Sequence, residues 1–300
     1  MPCSLAEVFI TEDLIDYIYK EKELSLRKLV QRLGKDPFES LCSKVNQYVL
    51  FRGFTDPKKS VICKTTDRGC FVPIIGTKNL DLVGIQPRDS KQACLIDSLA
   101  DPNILLTCGI GPAGTGKSTM AMSYALAECF EKDKRLFMSK STALVGKART
   151  FGAVPGDINE KYAPHIESYK IILKKLLGDK SDAYVKLLQD KEQIKYIPIE
   201  YARGATFEHC TFIIDEVQNL DWHELKTICS RMGEGANLVL LGDLEQIDLE
   251  VSHEESGIYK LITSESYAKS SITSLITLDQ QYRGPIPTLM SDIDKELRKN

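Results

Sequence analysis

The stretch Gly111-Pro112-Ala113-Gly114-Thr115-Gly116-Lys117-Ser118 constrains this chain more than any other. It satisfies G-x-x-x-x-G-K-[ST] at every fixed position, with the apolar run Ile104–Cys108 before it and a helical pattern after it. Such a loop functions where a buried strand feeds a helix. Its glycines let backbone N–H groups turn inward around phosphate oxygens, and the helix N-terminus adds its positive end. Lys117 is expected to reach the β- and γ-phosphates and Ser118 to hold Mg²⁺, with Gly111 to Thr119 as the nucleotide-binding set.

A loop of this kind predicts an α/β fold, and the flanking sequence agrees. From Gly84 onward apolar runs alternate with amphipathic segments, the pattern of a mostly parallel sheet. Strands are expected at Ile104–Cys108, Arg135–Ser139, Phe212–Asp215, Leu238–Leu241 and Ser274–Asp279. Helices are expected at Ser90–Leu99, Lys117–Glu131, Trp222–Met232 and Ile286–Leu297, and within Pro164–Leu177 and Asp182–Asp190. The boundaries implied are a small N-terminal α+β domain over 1–83 and a nucleotide-binding domain over 84–300.

Phe212-Ile213-Ile214-Asp215-Glu216 is an apolar strand ending in two acids. A phosphate loop needs a carboxylate to hold Mg²⁺ through water, and Asp215 suits that role. A second carboxylate can polarise an attacking water, and Glu216 suits that. Leu238–Leu241 runs into Gly242 and Asp243, followed by Gln246, which is placed to sense the γ-phosphate or orient water. Arg283 is a late candidate for stabilising charge on the transferred phosphoryl group. The four histidines are dispersed and predict no metal cluster.

The formal net charge of −3 gives no global basic field, so any nucleic-acid site must be a local patch. Nine scattered cysteines, none in a C-x-x-C pair, read as reduced thiols. No apolar stretch approaches the roughly 18 residues of a membrane span, and Met1–Ile10 lacks the pattern of a secretion signal. A cytoplasmic protein without membrane contact is expected.

In the N-terminal segment, Leu14-Ile15 and Tyr17-Ile18 stand at helical spacing. Leu26, Leu29, Val30 and Leu33 form an amphipathic face that Gly34 ends. A third helix is expected over Pro37–Tyr48 with Asp36 as N-cap, then β-like runs at Tyr48–Phe54, Val61–Thr65 and Phe71–Ile75. Three helices and a hairpin would outline a winged helix, with Lys44, Arg52, Lys58 and Lys59 lining a nucleic-acid face. The same pattern also fits a small α/β cap or oligomerisation domain with an ordinary solvated face.

The motif set as a whole resembles the PhoH family. The carriers are Gly111–Ser118, Phe151-Gly152-Ala153-Val154-Pro155-Gly156-Asp157 with Glu160-Lys161, and Ala202-Arg203-Gly204-Ala205-Thr206-Phe207. Ile213 to Asn219, Gly242 to Leu249 and Ser256-Gly257-Ile258 complete the set. The likeness covers about Gly84 to Leu261. It implies a RecA-like ATPase core related to superfamily 1 helicases. On that resemblance Gln92 is similar to the adenine-contacting glutamine, and Asp215-Glu216-Val217-Gln218 to the D-E-x-Q box. Leu278 to Arg283 is similar to a motif with a ring-stacking tyrosine and a phosphate-contacting arginine. Arg203 is a further candidate for phosphate or nucleic acid. One departure is Ser139-Lys140-Ser141-Thr142, where many members carry Arg-Pro. A superfamily 1 helicase has two RecA-like domains and this chain has room for one, which implies a homo-oligomer, in one form a ring.

The function so implied is ATP hydrolysis with Mg²⁺, coupled to binding or remodelling of RNA or single-stranded DNA. A nucleotide-gated protein-remodelling or signalling ATPase stands as the alternative. A small-molecule phosphotransferase fits less well, because Asp215, Glu216 and Gln246 position water instead of an acceptor hydroxyl.

Overall fold

A computed structural model describes residues 5–34, 44–76, 80–141, 158–178, 181–246 and 256–282, with a few isolated positions from 284 onward. Most of the expected third helix, the Phe151–Asp157 stretch and Arg283 fall outside the described residues; of the expected final helix only Ile286, Leu289, Met290, Ile293 and Glu296 are described, and all five are helical.

The N-terminal part comprises β1 (Ala6–Ile10), α1 (Glu12–Glu21), β2 (Leu24–Ser25), α2 (Leu26–Leu33), β3 (Tyr48–Gly53), β4 (Ser60–Thr65) and β5 (Cys70–Pro73). Helix α1 places Glu12 and Asp13 in its first turn, against the positive end of the helix dipole, and buries Leu14, Ile15 and Ile18 on one face. In α2 the Ser25 hydroxyl caps the first turn by accepting from Lys28 N–H. The strands form one sheet in the order β1-β3-β4-β5-β2. A strand therefore precedes the first helix and pairs parallel with β3, an element absent from the outline of three helices and a hairpin. The helices cover one face of this sheet over a core in which Phe51 and Phe71 meet edge to face at 5.1 Å.

The second part is a six-stranded sheet of β6 (Leu106–Ile110), β7 (Arg135–Lys140), β8 (Ile194–Tyr196), β9 (Cys210–Asp215), β10 (Asn237–Gly242) and β11 (Thr273–Thr277). Their order is β11-β6-β10-β9-β7-β8 and every pairing is parallel. The central strands β9 and β10 are mostly apolar because both faces are covered. Side chains alternate between two cores. Phe212, Ile214, Leu238 and Leu240 face α8 (Trp222–Cys229) and α9 (Gly257–Thr263), which α10 (Glu265–Lys269) extends. Ile213, Val239 and Leu241 face α4 (Lys117–Lys132), α5 (Ile158–Leu177) and α6 (Ser181–Asp190). Two further helices, α3 (Ser90–Ala100) and the short α7 (Ile199–Ala202), complete the layers.

The sheet is that of a RecA-like P-loop core, with β10 inserted between β6 and β9. Strand β6 begins later than its apolar run, because Asp101 first closes a turn with Asn103 N–H and Ile104 N–H. The carboxyl ends of β6, β7, β9 and β10 lie along one edge, where open α/β sheets bind ligands. No helix among the described residues is long and apolar enough to cross a membrane.

The N-terminal sheet is fastened to α3 and β11 by buried polar contacts. Asp97, fully buried, accepts from Tyr48 OH at 2.9 Å, Lys64 Nζ at 3.1 Å and Ile75 N–H at 2.6 Å. Lys64 also donates to Asp101 at 2.5 Å, and Asn46 donates to the carbonyls of Ser271 and Thr273.

Candidate nucleotide site

The phosphate loop leaves β6 and enters α4 at Gly116. Gly116 has φ +87°, a left-handed conformation, and a Cβ there would lie 2.8 Å from Gln92 Nε2. Thr115, fully buried, braces the turn by donating to Pro112 O at 3.0 Å. Thr115 O in turn accepts from Gln92 Nε2 at 2.9 Å. The loop therefore presents the first-turn N–H groups of α4 to a cleft of about 720 Å³. Lys117 is folded back, donating to Gly111 O and, at 3.0 Å, to Pro112 O.

The acids meet this loop because β9 ends beside it. Ser118 Oγ donates to Asp215 Oδ2 at 2.7 Å. Burial pushes the Asp215 carboxyl above the usual carboxylate range, opposed by that hydrogen bond and by Lys117. A buried carboxylate beside a hydroxyl is a donor pair that fits a hard divalent cation, with phosphate and water filling the remaining positions. No group of three or more His, Cys, Asp or Glu able to hold a metal exists among the described residues. Ser118 and Asp215 are the pair on this cleft that would hold a divalent cation beside a bound phosphate.

Glu216 follows in the left-handed region at φ +58°, a conformation costing a non-glycine residue about 1 kcal/mol that the surroundings must hold. Gln218 holds it. This side chain, 1% exposed, donates from Nε2 to Glu216 Oε2 at 2.7 Å and to Gln246 O at 3.1 Å. Its Oε1 accepts from Asp243 N–H at 3.0 Å. The close approach requires Gly242, where a Cβ would sit 2.7 Å from Gln218 Oε1. The other oxygen of Glu216 faces Lys140 Nζ at 3.9 Å. Burial also raises the Asp243 carboxyl, which lines the cleft beside the Gln246 side chain.

At the opposite end, Asp89 caps α3 by accepting from Gln92 N–H at 2.8 Å and also accepts from Tyr282 OH at 2.5 Å. The Arg88 guanidinium lies 5.2 Å from the Tyr282 ring centroid. Tyr282 N–H donates to Gly114 O, which brings the ring to the cleft wall.

Ala113, Gly114, Gly116, Lys117, Ser118 and Thr119 line the cleft together with Gln92, Asp215, Glu216 and Gln246. Gly111, Pro112 and Thr115 form the body of the loop behind it. Gln92 stands on the wall with both ends of its amide engaged, Oε1 accepting from Arg88 N–H at 2.9 Å. Arg203 is not on the cleft: it pairs with Glu224 at 2.7 Å, at the N-terminus of α8. Arg283 is outside the described residues. Sequence reasoning did not assign a role to Lys140, Gln218 or the α5 residues Ser168, Ile171, Ile172 and Lys175, all of which touch or brace the cleft. The i, i+3, i+4, i+7 spacing of the α5 set was a readable signal of one helix face, though not of what it faces.

The family described as PhoH-like protein matches residues 84–292. Protein PhoH2 of Bacillus subtilis (strain 168) is 28% identical over 245 residues, covering 81% of this chain and 53% of that protein. A PhoH-like protein of the same organism is 31% identical over 176 residues, covering 58% and 53%. The chain spans about half the length of these curated relatives. The solved structure of Pif1 helicase from Candida albicans aligns over 71% of this chain and 44% of that one at 20% identity. The TM-score of that alignment is 0.38.

Proposed function

The chain belongs to the PhoH-like family, and from that membership and the cleft together we propose that it binds ATP with Mg²⁺ and hydrolyses it. The observation that carries this reading is the joining of Ser118 to Asp215 at the mouth of a complete phosphate loop, with Glu216 beside them. The phosphates would lie on the N–H groups of the loop, with Lys117 turning from its carbonyl partners to the β- and γ-oxygens. Bound Mg²⁺ would neutralise charge on the phosphates between Ser118 and Asp215.

Glu216 would orient a water and accept its proton as the water oxygen bonds to the γ-phosphorus. The bond to the β–γ bridging oxygen breaks, giving ADP and inorganic phosphate. Gln246 borders the same space and would sense the terminal phosphate. Tyr282 would stack on the base, and Arg283, in cis or from a neighbouring copy, would stabilise the transferred group.

Coupling of hydrolysis to RNA or single-stranded DNA is the second half of the proposal. It is supported by the D-E-x-Q box and the Leu278 to Arg283 motif, which resemble those of superfamily 1 helicases. A homo-oligomer, in which a neighbouring copy would face the cleft, is part of the reading.

Steady-state ATP hydrolysis by the purified chain, alone and with single-stranded RNA, single-stranded DNA and duplex, tests both halves. Glu216→Gln should keep ATP binding and lose turnover; retained turnover removes Glu216 from its role. Turnover that ignores every nucleic acid would separate the ATPase from the coupling and favour a protein-remodelling or signalling role.

A further inference from the structure

Strand β7 ends at Lys140 directly beside the end of β9. The register pairs Lys140 with Asp215, and Ser141 N–H donates to Asp215 O at 2.9 Å. The Lys140 side chain thus starts one strand away from the acids. It lines the cleft with 26% of its side chain exposed, and its Nζ stands 3.9 Å from Glu216 Oε1.

The two oxygens of Glu216 are divided between two partners of different kind. Gln218 holds Oε2 from a buried position, with three hydrogen bonds of its own. Releasing it would leave buried polar groups unsatisfied, at about 1–3 kcal/mol each. Lys140 faces Oε1 by charge alone, at a distance beyond a hydrogen bond, from a flexible four-carbon stem. A carboxylate that is to take a proton from water needs one oxygen turned to that water. Of the two partners, only Lys140 can leave cheaply.

The cleft supplies the reason for it to leave. Lys117 is parked on loop carbonyls and Lys140 on a carboxylate, so both ammonium groups rest on protein oxygens. A nucleoside triphosphate brings a terminal phosphate next to Glu216 in any arrangement where Glu216 activates the attacking water. That phosphate carries more charge than one carboxylate and is the stronger partner for an ammonium.

We propose that Lys140, alongside Gln246 on the same cleft, senses the terminal phosphate of the bound nucleotide. It rests on Glu216 when the nucleotide is a diphosphate or absent, and moves to the γ-phosphate of a triphosphate, which frees Glu216. Lys140 thereby ties the availability of the water-activating carboxylate to the presence of the bond to be cleaved. The inference rests on the reading of Glu216 given above, and it makes Lys140 a determinant of triphosphate over diphosphate selectivity.

The test is equilibrium binding of ADP and of the non-hydrolysable analogue AMP-PNP, in EDTA and in Mg²⁺, to the wild-type chain and to Lys140→Met, Lys140→Arg and Glu216→Gln. Lys140→Met should lose about tenfold in AMP-PNP affinity, the worth of one charge-assisted hydrogen bond, and keep ADP affinity within about twofold. Lys140→Arg should restore most of the difference, which a merely structural role would not predict. Glu216→Gln removes the competing carboxylate. It should therefore tighten AMP-PNP binding when Lys140 is present and not in the double variant with Lys140→Met. Equal losses for both nucleotides, or AMP-PNP affinity unchanged in Lys140→Met, would overturn the proposal. If the wild-type chain binds neither nucleotide, the ATP reading itself fails; if it binds both and only the Lys140 variants behave otherwise than stated, this inference fails alone.

Discussion

Ser118 Oγ and Asp215 Oδ2 lie 2.7 Å apart, joining the first turn of α4 to the end of β9 across 97 residues of sequence. The hydroxyl, together with Lys117 and Glu216 N–H, partly offsets the buried charge of Asp215. Ser118→Ala should raise the Mg²⁺ concentration for half-maximal ATP hydrolysis by about tenfold, since one of two protein oxygen donors is removed. Asp215→Asn should raise it further, yet should not lower the melting temperature of the nucleotide-free chain, because a neutral amide replaces a desolvated carboxylate. A Mg²⁺ titration of activity and a thermal melt check the two halves. An Asp215→Asn chain that melts well below wild type would mean the carboxylate is structural.

Gln218 is the brace behind Glu216. Gln218→Leu keeps the volume and removes the contacts to Glu216, Asp243 and Gln246. The left-handed Glu216 would then lose its anchor, and kcat should fall about 100-fold, as for an ångström-scale misplacement of a reacting group. ATP affinity should change little, because Gln218 touches no part of the phosphate loop. Stability should fall by about 1–3 kcal/mol from the buried Asp243 N–H left without its acceptor. Single-turnover hydrolysis alongside equilibrium binding separates these effects; parallel losses in both would contradict the assignment.

The parallel strands were legible because strands buried on both faces are written as short apolar runs, and the loop and acids because phosphate chemistry fixes residue types at fixed spacing. Other features depend on partners far apart in sequence. Strand β8 has three residues, Ile194-Lys195-Tyr196, paired among the described residues with β7 alone, and nothing in so short a segment announces a strand. Strand β1 becomes a strand through pairing with β3, some forty residues on. Lys140 enters the site through the register of β7 on β9, and Gln218 through the space left by Gly242. Arg203 shows the converse. Its chemistry suited phosphate, but Glu224, which closes the capping box of α8, stands nearer and takes its charge.

Gln92 offers a discriminating case. Its amide is engaged by Arg88 N–H and Thr115 O, so in this structure it braces the loop from the cleft wall. Gln92→Ala should therefore weaken ATP and GTP binding alike, by about tenfold, through loosening of the turn at Gly116. Were Gln92 instead the reader of adenine, the loss would fall on ATP alone and the ratio of the two affinities would collapse. Competition binding with both nucleotides distinguishes the two.

The joint at Asp97 makes the N-terminal sheet part of the stability of the nucleotide-binding core. Asp97→Ala leaves the ammonium of Lys64 with Asp101 alone and strands Tyr48 OH and Ile75 N–H, all at the same buried contact. Breaking a buried pair in this way costs about 3–5 kcal/mol, enough to unfold a marginal domain, and chemical denaturation should show the loss as one transition across both sheets. The joint also sets an acid limit. Burial pushes the Asp101 carboxyl up, but the hydrogen bonds from Lys64 and Asn103 outweigh it, and the group ends below its ordinary value. A depressed folded value means that the contribution is present above the unfolded pKa, about 3.9, and is lost as pH falls through the folded one. The melting temperature should accordingly drop below pH 4 in wild type, and less steeply in Asp101→Asn, which has already given up the pair. A melting temperature that is flat with pH in wild type, or two separate unfolding transitions in Asp97→Ala, would show that the two sheets fold independently and that α3 does not depend on the contact.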